Sequence, residues 1–200
     1  MPSPLESGSF PIAAASAYLL VLVWLVAEYQ FVRYTRRRGA PGFRASREDR
    51  GSYYAIIGSI WAGLSWALFV YFLGLGPQLD AISIPPGVAL AVVGIALRGW
   101  ALTTLGRNFS LVVRTSQDQR LVTEGPYRWL RHPAYSSNLL VTAGIALVLG
   151  NLLGLLATVV LVSASHLYRI RVEERALVAR FGGAYREYET RTWRLIPGVY

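Results

Sequence analysis

Residues 132–174 read HPAYSSNLLVTAGIALVLGNLLGLLATVVLVSASHLYRIRVEE. Two apolar runs, 134–149 and 152–168, are separated only by Gly150 and Asn151. The pair reads as a tight helical hairpin, short enough either to cross a thin or tilted region of a bilayer or to fall short of a full crossing. A hairpin returns its two ends to one face. His132, Pro133 and Tyr135 at its start should therefore meet Arg169, Glu173 and Glu174 at its end, so that segments distant in sequence form one site.

Working outward, three more apolar runs come earlier, at 10–32, 53–75 and 86–105. Each approaches the roughly 20 residues that a spanning helix needs. The first carries Glu28 near its end, the second has no charge, and the third contains Arg98. The loops test this division. Residues 33–50 hold seven arginines, 106–133 hold five and the tail from Arg169 holds seven, whereas 75–86 and the Gly150-Asn151 turn hold none. Basic and bare loops alternate, as the positive-inside rule requires. The expected fold is an all-α integral membrane bundle of about five transmembrane helices, with the N-terminus outside and the C-terminus cytoplasmic. After Tyr168 the pattern turns amphipathic. Val172, Ala176, Leu177 and Ala179 recur at helical spacing, Gly182-Gly183 ends that helix, and Tyr185, Tyr188 and Trp193 follow on a second short stretch at the cytoplasmic surface.

Composition agrees. Of the 200 residues 54% are hydrophobic and 16% charged, against roughly 25% charged in soluble proteins. The net charge of +9 comes entirely from arginine. Because these arginines sit between apolar runs, they read as topology signals and not as a nucleic-acid surface. Zinc thiolates, disulfides and a cysteine nucleophile are excluded by the absence of cysteine. With only His132 and His166, no histidine-rich metal site is expected. Residues 1–9 carry Glu6 and no basic residue, so no cleaved secretory signal is expected.

Polar residues crowd into 114–138 and 169–188. Pro133 suits the first position of a helix with His132 as its cap, and the N–H groups of such a start attract anions. Tyr127 and Tyr135 offer aromatic faces to a base or a cation. The same residues also suit a plain interfacial helix start. Arg169 and Glu173 share one helical face four residues apart, as a ligand-binding pair or as an ordinary salt bridge. Arg98 either snorkels in a structural role or meets a substrate. His166 and the tryptophans Trp61, Trp66 and Trp100 read as packing or interface residues.

The order LGRNFSLVV (105–113), LVTEGPYRWLRHPAY (121–135) and EERALVARFGGAYREY (173–188) resembles the isoprenylcysteine carboxyl methyltransferase family, which is related to membrane phospholipid methyltransferases. The resemblance covers residues 97–197. It implies S-adenosyl-L-methionine as cofactor. Gln119, Arg120, Leu121 and Val122 look like the strip that holds the adenosine. Tyr127, His132, Pro133, Ala134 and Tyr135 look like the rest of that pocket. Glu173 matches the acidic residue on the cofactor's amino-acid part, and Arg169 the arginine on the substrate's carboxylate. Arg114 falls where eukaryotic members place a glutamine on the cofactor. On this likeness the chain is one domain, 1–200. Three spans occupy 10–105, and the cofactor loop, hairpin and catalytic tail occupy 106–200.

The expected reaction is O-methylation of a carboxylate on a prenylated or otherwise lipophilic molecule. A carboxylate is already ionised and needs only orienting, whereas an amine or thiol must lose a proton. Alternatives on the same scaffold are phospholipid N-methylation and thiol S-methylation. A nicotinamide-dependent sterol reductase and a non-catalytic membrane scaffold are alternatives from other classes. The expected partners are membrane lipids and the lipophilic substrate. Oligomeric state is left open.

Overall fold

The computed structural model describes residues 10–41, 49–79, 81–111 and 120–199. Among them are six α-helices and no β-strand: α1 (Phe10–Arg37), α2 (Ser52–Phe72), α3 (Ile84–Leu105), α4 (Pro133–Val148), α5 (Leu152–Phe181) and α6 (Gly183–Thr190). The chain is an all-α membrane-type bundle, as its apolar runs suggest. Proline stands in the first turn of both α3 and α4, where the missing N–H costs nothing. Asn151 caps α5 by accepting from Gly154 N at 2.9 Å.

Four helical stretches are long and apolar enough to cross a membrane: Ile12–Arg37, Ser52–Phe72, Ala81–Asn108 and Leu152–Phe181. The fifth expected span, α4, has 16 residues, about 24 Å at 1.5 Å per residue, less than a roughly 30 Å hydrocarbon core. Its faces explain why it can be short. Ser136, Ser137, Asn138, Val141, Thr142, Gly144, Ile145, Ala146 and Val148 are all buried, so α4 sits among the other helices. The span expected at 152–168 and the amphipathic stretch after it form one continuous helix, because no breaker occurs before Gly182, whose φ is 54°.

The hairpin is present, but its arms pack mainly on other partners, α4 on α3 and α5 on α2. Small residues decide this. A Cβ on Gly144 would lie 2.6 Å from Gly87 O, and one on Gly94 would lie 2.7 Å from Val141 Cγ2. Such close approach is how helices associate in lipid, where hydrophobic burial offers no drive. Gly63 faces Thr158 in the same way, and Thr158 Oγ1 donates to Gly63 O at 2.9 Å. Helix α1 packs on α3 and α4 but barely touches α2. The two bare loops are joined: Leu79 N donates to Gly150 O at 2.6 Å, Leu152 N to Pro77 O at 3.1 Å, and Asn151 Nδ2 to Leu75 O at 2.7 Å. At the other end Tyr168 Oη donates to Arg50 O at 2.9 Å. The arginine-rich segments thus gather at one end of the bundle.

Candidate active site

A cavity of about 380 Å³ opens at the arginine-rich end. Its polar part is lined by Arg120, Leu121 and Val122, by Tyr127, His132, Ala134 and Tyr135, and by Glu173, Leu177 and Tyr185. Its apolar part runs between α1 and α2, past Trp24, Leu25, Ile57 and Trp61. Because those two helices barely touch, this part faces the lipid side of the bundle, where Leu25, Ile57 and Trp61 are exposed.

The expected convergence of the hairpin ends is present. Tyr135 Oη donates to Glu173 Oε2 at 2.6 Å and accepts from Arg169 Nε at 3.0 Å. Arg169, 3% exposed, also donates from Nη1 to Asp49 and to Ser52 Oγ, and from Nη2 to Leu111 O. Among the described residues these four bonds leave one of the five guanidinium N–H groups for a ligand, so a single contact fits better than a bidentate fork. Arg98 does not snorkel. It is buried and grips Glu28, with Nη2 to Oε1 at 2.6 Å and Nε to Oε2 at 2.9 Å, and it donates to Ala134 O at 3.1 Å.

The neighbouring glutamates have different surroundings. Glu174 is buried and accepts from Arg131 Nε at 3.1 Å and Arg194 Nη2 at 3.0 Å, with His132 Nε2 at 3.3 Å. The side chain of Glu173 is 32% exposed. Among the described residues its partners are the Tyr135 hydroxyl and, at 3.9 Å, His132 Nδ1. Tyr127 is buried, and burial with the added charge of Glu173 pushes its phenol well above the ordinary range, so it stays a neutral hydroxyl. Pro133 starts α4 without lining the cavity, and Tyr135 N already donates to His132 O at 2.9 Å. The helix start is therefore a weaker anion site than expected. His166 packs beside the site, its ring edge-on to Tyr135 at 5.3 Å and its Nδ1 2.7 Å from Val162 O. Arg114 and Gln119 lie outside the described residues.

Sequence reasoning missed Asp49, Ser52 and the Glu28–Arg98 pair, and it did not place Tyr185 or Trp24 on the cavity. Tyr185 Oη and Trp24 Nε1 are buried and have no partner among the described residues. The one available signal was Glu28, a carboxylate inside an apolar run, which implies a buried cation nearby.

Residues 87–179 match the model of the isoprenylcysteine carboxyl methyltransferase family. Over that region, a little under half of its length, the chain is similar to this family. The chain is 36% identical over 115 residues to protein-S-isoprenylcysteine O-methyltransferase B of Arabidopsis thaliana, covering 56% of this chain and 58% of that protein. The Saccharomyces cerevisiae protein-S-isoprenylcysteine O-methyltransferase is 35% identical over 115 residues, 56% of this chain and 48% of the other. The structure of the eukaryotic intramembrane Ras methyltransferase ICMT superposes with a TM-score of 0.60 at 29% identity, covering 74% of this chain and 52% of that one. The chain thus spans about half the length of these family relatives. The family match contains Arg98, Tyr127, Tyr135, Arg169 and Glu173. Glu28 and Asp49 lie outside it.

Proposed function

We propose that the chain binds S-adenosyl-L-methionine at the polar end of the cavity and methylates the carboxylate of a prenylated or similarly lipophilic acceptor that enters between α1 and α2. The observation that carries this reading is one continuous cavity with a hydrogen-bonding, anionic end and an apolar, lipid-facing end. The residues present suit the cofactor. Glu173, partly exposed and held by a phenol, suits an ammonium group. The strip Arg120–Val122, which lies in no helix, offers backbone to a base, and Tyr127 adds an aromatic face. When bound, the cofactor supplies a methyl group on a sulfonium. The protein's own contribution is placement. Arg169 steadies the acceptor carboxylate with its remaining N–H, and Tyr135 fixes Arg169 relative to Glu173. An in-line displacement needs little beyond such positioning. The arginine-rich end of the bundle is the cytoplasmic one on this reading, by the positive-inside rule, and the chain resides in the cell membrane.

Both arginines near the acceptor end already hold carboxylates, Glu28 and Asp49, and this supports a phospholipid amine as the second reading. Calorimetry with S-adenosylhomocysteine tests the cofactor, and binding of NADPH instead would favour a reductase. Labelled methyl transfer to a prenylcysteine analogue and to phosphatidylethanolamine tests the acceptor. Arg169→Ala should lower transfer to the carboxylate roughly 10- to 150-fold, the loss of one charge-assisted hydrogen bond of about 1.5–3 kcal/mol. Full activity in that variant would rule out the carboxylate contact.

A further inference from the structure

Among the described residues, three of the four arginines on the cavity wall are each matched by a carboxylate of the chain itself; the fourth, Arg120, is exposed. Arg98 has Glu28, Arg131 has Glu174 and Arg169 has Asp49. Glu173 has no guanidinium among the described residues, only the Tyr135 hydroxyl and the more distant His132 ring. The matching is built by separate segments. Glu28 comes from α1 and Asp49 from the turn before α2, and both precede the family-matched region. Asp49 is 4% exposed and is fixed from both sides, since its Oδ2 accepts from Tyr53 N at 3.0 Å while Oδ1 meets Arg169.

This arrangement has an electrostatic result. Arg169 is joined to Glu173 through a single hydroxyl. Without Asp49, its charge would be cancelled by Glu173, and the carboxylate would offer little to a ligand cation. With Asp49 behind Arg169 and Glu28 beside Arg98 on the cavity wall, both arginines are neutralised and the negative charge of Glu173 stays available at the cavity surface.

We propose that Glu28 and Asp49 are specificity-determining counter-ions, which make the cavity favour a sulfonium methyl donor over the neutral thioether that remains after transfer. The inference rests on the methyl-donor reading above. In the transfer the sulfur–methyl bond breaks, its electron pair stays on sulfur, and a bond forms from the acceptor oxygen to the methyl carbon. The donor loses one positive charge and the carboxylate becomes a neutral ester. At an effective dielectric of about 20, a unit charge roughly 10 Å from a cation changes that cation's affinity on the order of tenfold. It leaves the neutral thioether nearly unaffected, so the two acids also favour product release.

The test is calorimetric binding of S-adenosylmethionine and S-adenosylhomocysteine to the full chain in detergent, without acceptor. Wild type, Glu28→Gln, Asp49→Asn and Ser52→Ala are compared. In each acid variant, donor affinity should fall about tenfold relative to product affinity. Ser52→Ala removes a bond from Arg169 without altering charge, so it should leave the ratio within twofold. A merely structural role for the acids would weaken both ligands alike. An unchanged ratio in the acid variants overturns the proposal. If Asp49→Asn fails to fold, Glu28→Gln decides, because Arg98 keeps its bond to Ala134 O. Wild type binding neither ligand would instead sink the methyl-donor reading itself, and this inference with it.

Discussion

Glu173 and Glu174 are adjacent in sequence and should behave oppositely when each is replaced by alanine. Glu174 is buried beneath Arg131 and Arg194 and next to His132. Removing it leaves Arg131, whose side chain is 10% exposed, without a counter-ion. Breaking a buried pair from one side costs about 3–5 kcal/mol. For a chain of this size each kcal/mol moves the midpoint by about 2–4 °C, so Glu174→Ala should melt roughly 6–20 °C lower. Glu173 is a third exposed and loses one bond, to Tyr135. With water as replacement that is about 1 kcal/mol, or roughly 2–4 °C. Ligand binding should reverse the order. On the proposed function, Glu173→Ala gives up a charge-assisted contact to the cofactor's ammonium, about 1.5–3 kcal/mol, and S-adenosylhomocysteine should bind some 10- to 150-fold more weakly. Folded Glu174→Ala at low temperature should keep most of its affinity. Tryptophan-fluorescence melting and calorimetry on the same preparations measure both. Equal melting losses in the two variants, or normal binding by Glu173→Ala, would refute the division of labour.

Asn151→Ala should lose the cap on α5 and the bond to Leu75 O, about 2 kcal/mol together, with ligand affinity unchanged because it lies at the other end; melting and calorimetry again decide. Gly144→Val should abolish a monodisperse peak on size exclusion, because its Cβ would lie 2.6 Å from Gly87 O, whereas Gly58→Ala, which meets nothing within 4 Å, should elute normally. Burial raises the Tyr185 and Tyr188 phenols above their ordinary value of 10.0. Their folded pKa values exceed the unfolded ones, so their contribution is intact below pH 10 and is lost above it, as unfolded phenols ionise first. Melting temperature should therefore fall between pH 9.5 and 11, and Tyr185→Phe should shrink that fall.

Much of the bundle was legible because spanning helices write themselves as uninterrupted apolar runs, and because Pro133 and Gly182 mark helix ends by backbone chemistry alone. The meeting of Tyr135, Arg169 and Glu173 followed from hairpin closure, which needs no knowledge of packing. Helix partners were not legible. That α4 rests on α3 depends on Gly87 facing Gly144 and Gly94 facing Val141 across the two helices, and facing is a matter of rotation, which local periodicity does not report for helices apolar all round. The same limit hid the difference between Glu173 and Glu174, since neighbours on a helix point about 100° apart. Asp49 was hidden for another reason. In an arginine-rich loop an acid looks like a solvated charge, and only its fixed place at the start of α2 brings it to Arg169.

The knot formed by Asn151, Leu75, Pro77 and Gly150 gives the bundle the mechanics of tweezers. The joint is at the arginine-free end, where two backbone bonds and the Asn151 side chain tie the segment after α2 to the turn between α4 and α5. The jaws are α1 and α2 at the opposite end, with little holding them to each other. Breathing wide enough to admit a long-chain guest should therefore swing from that joint, and crosslinking the jaw tips should hinder it far more than crosslinking the joint.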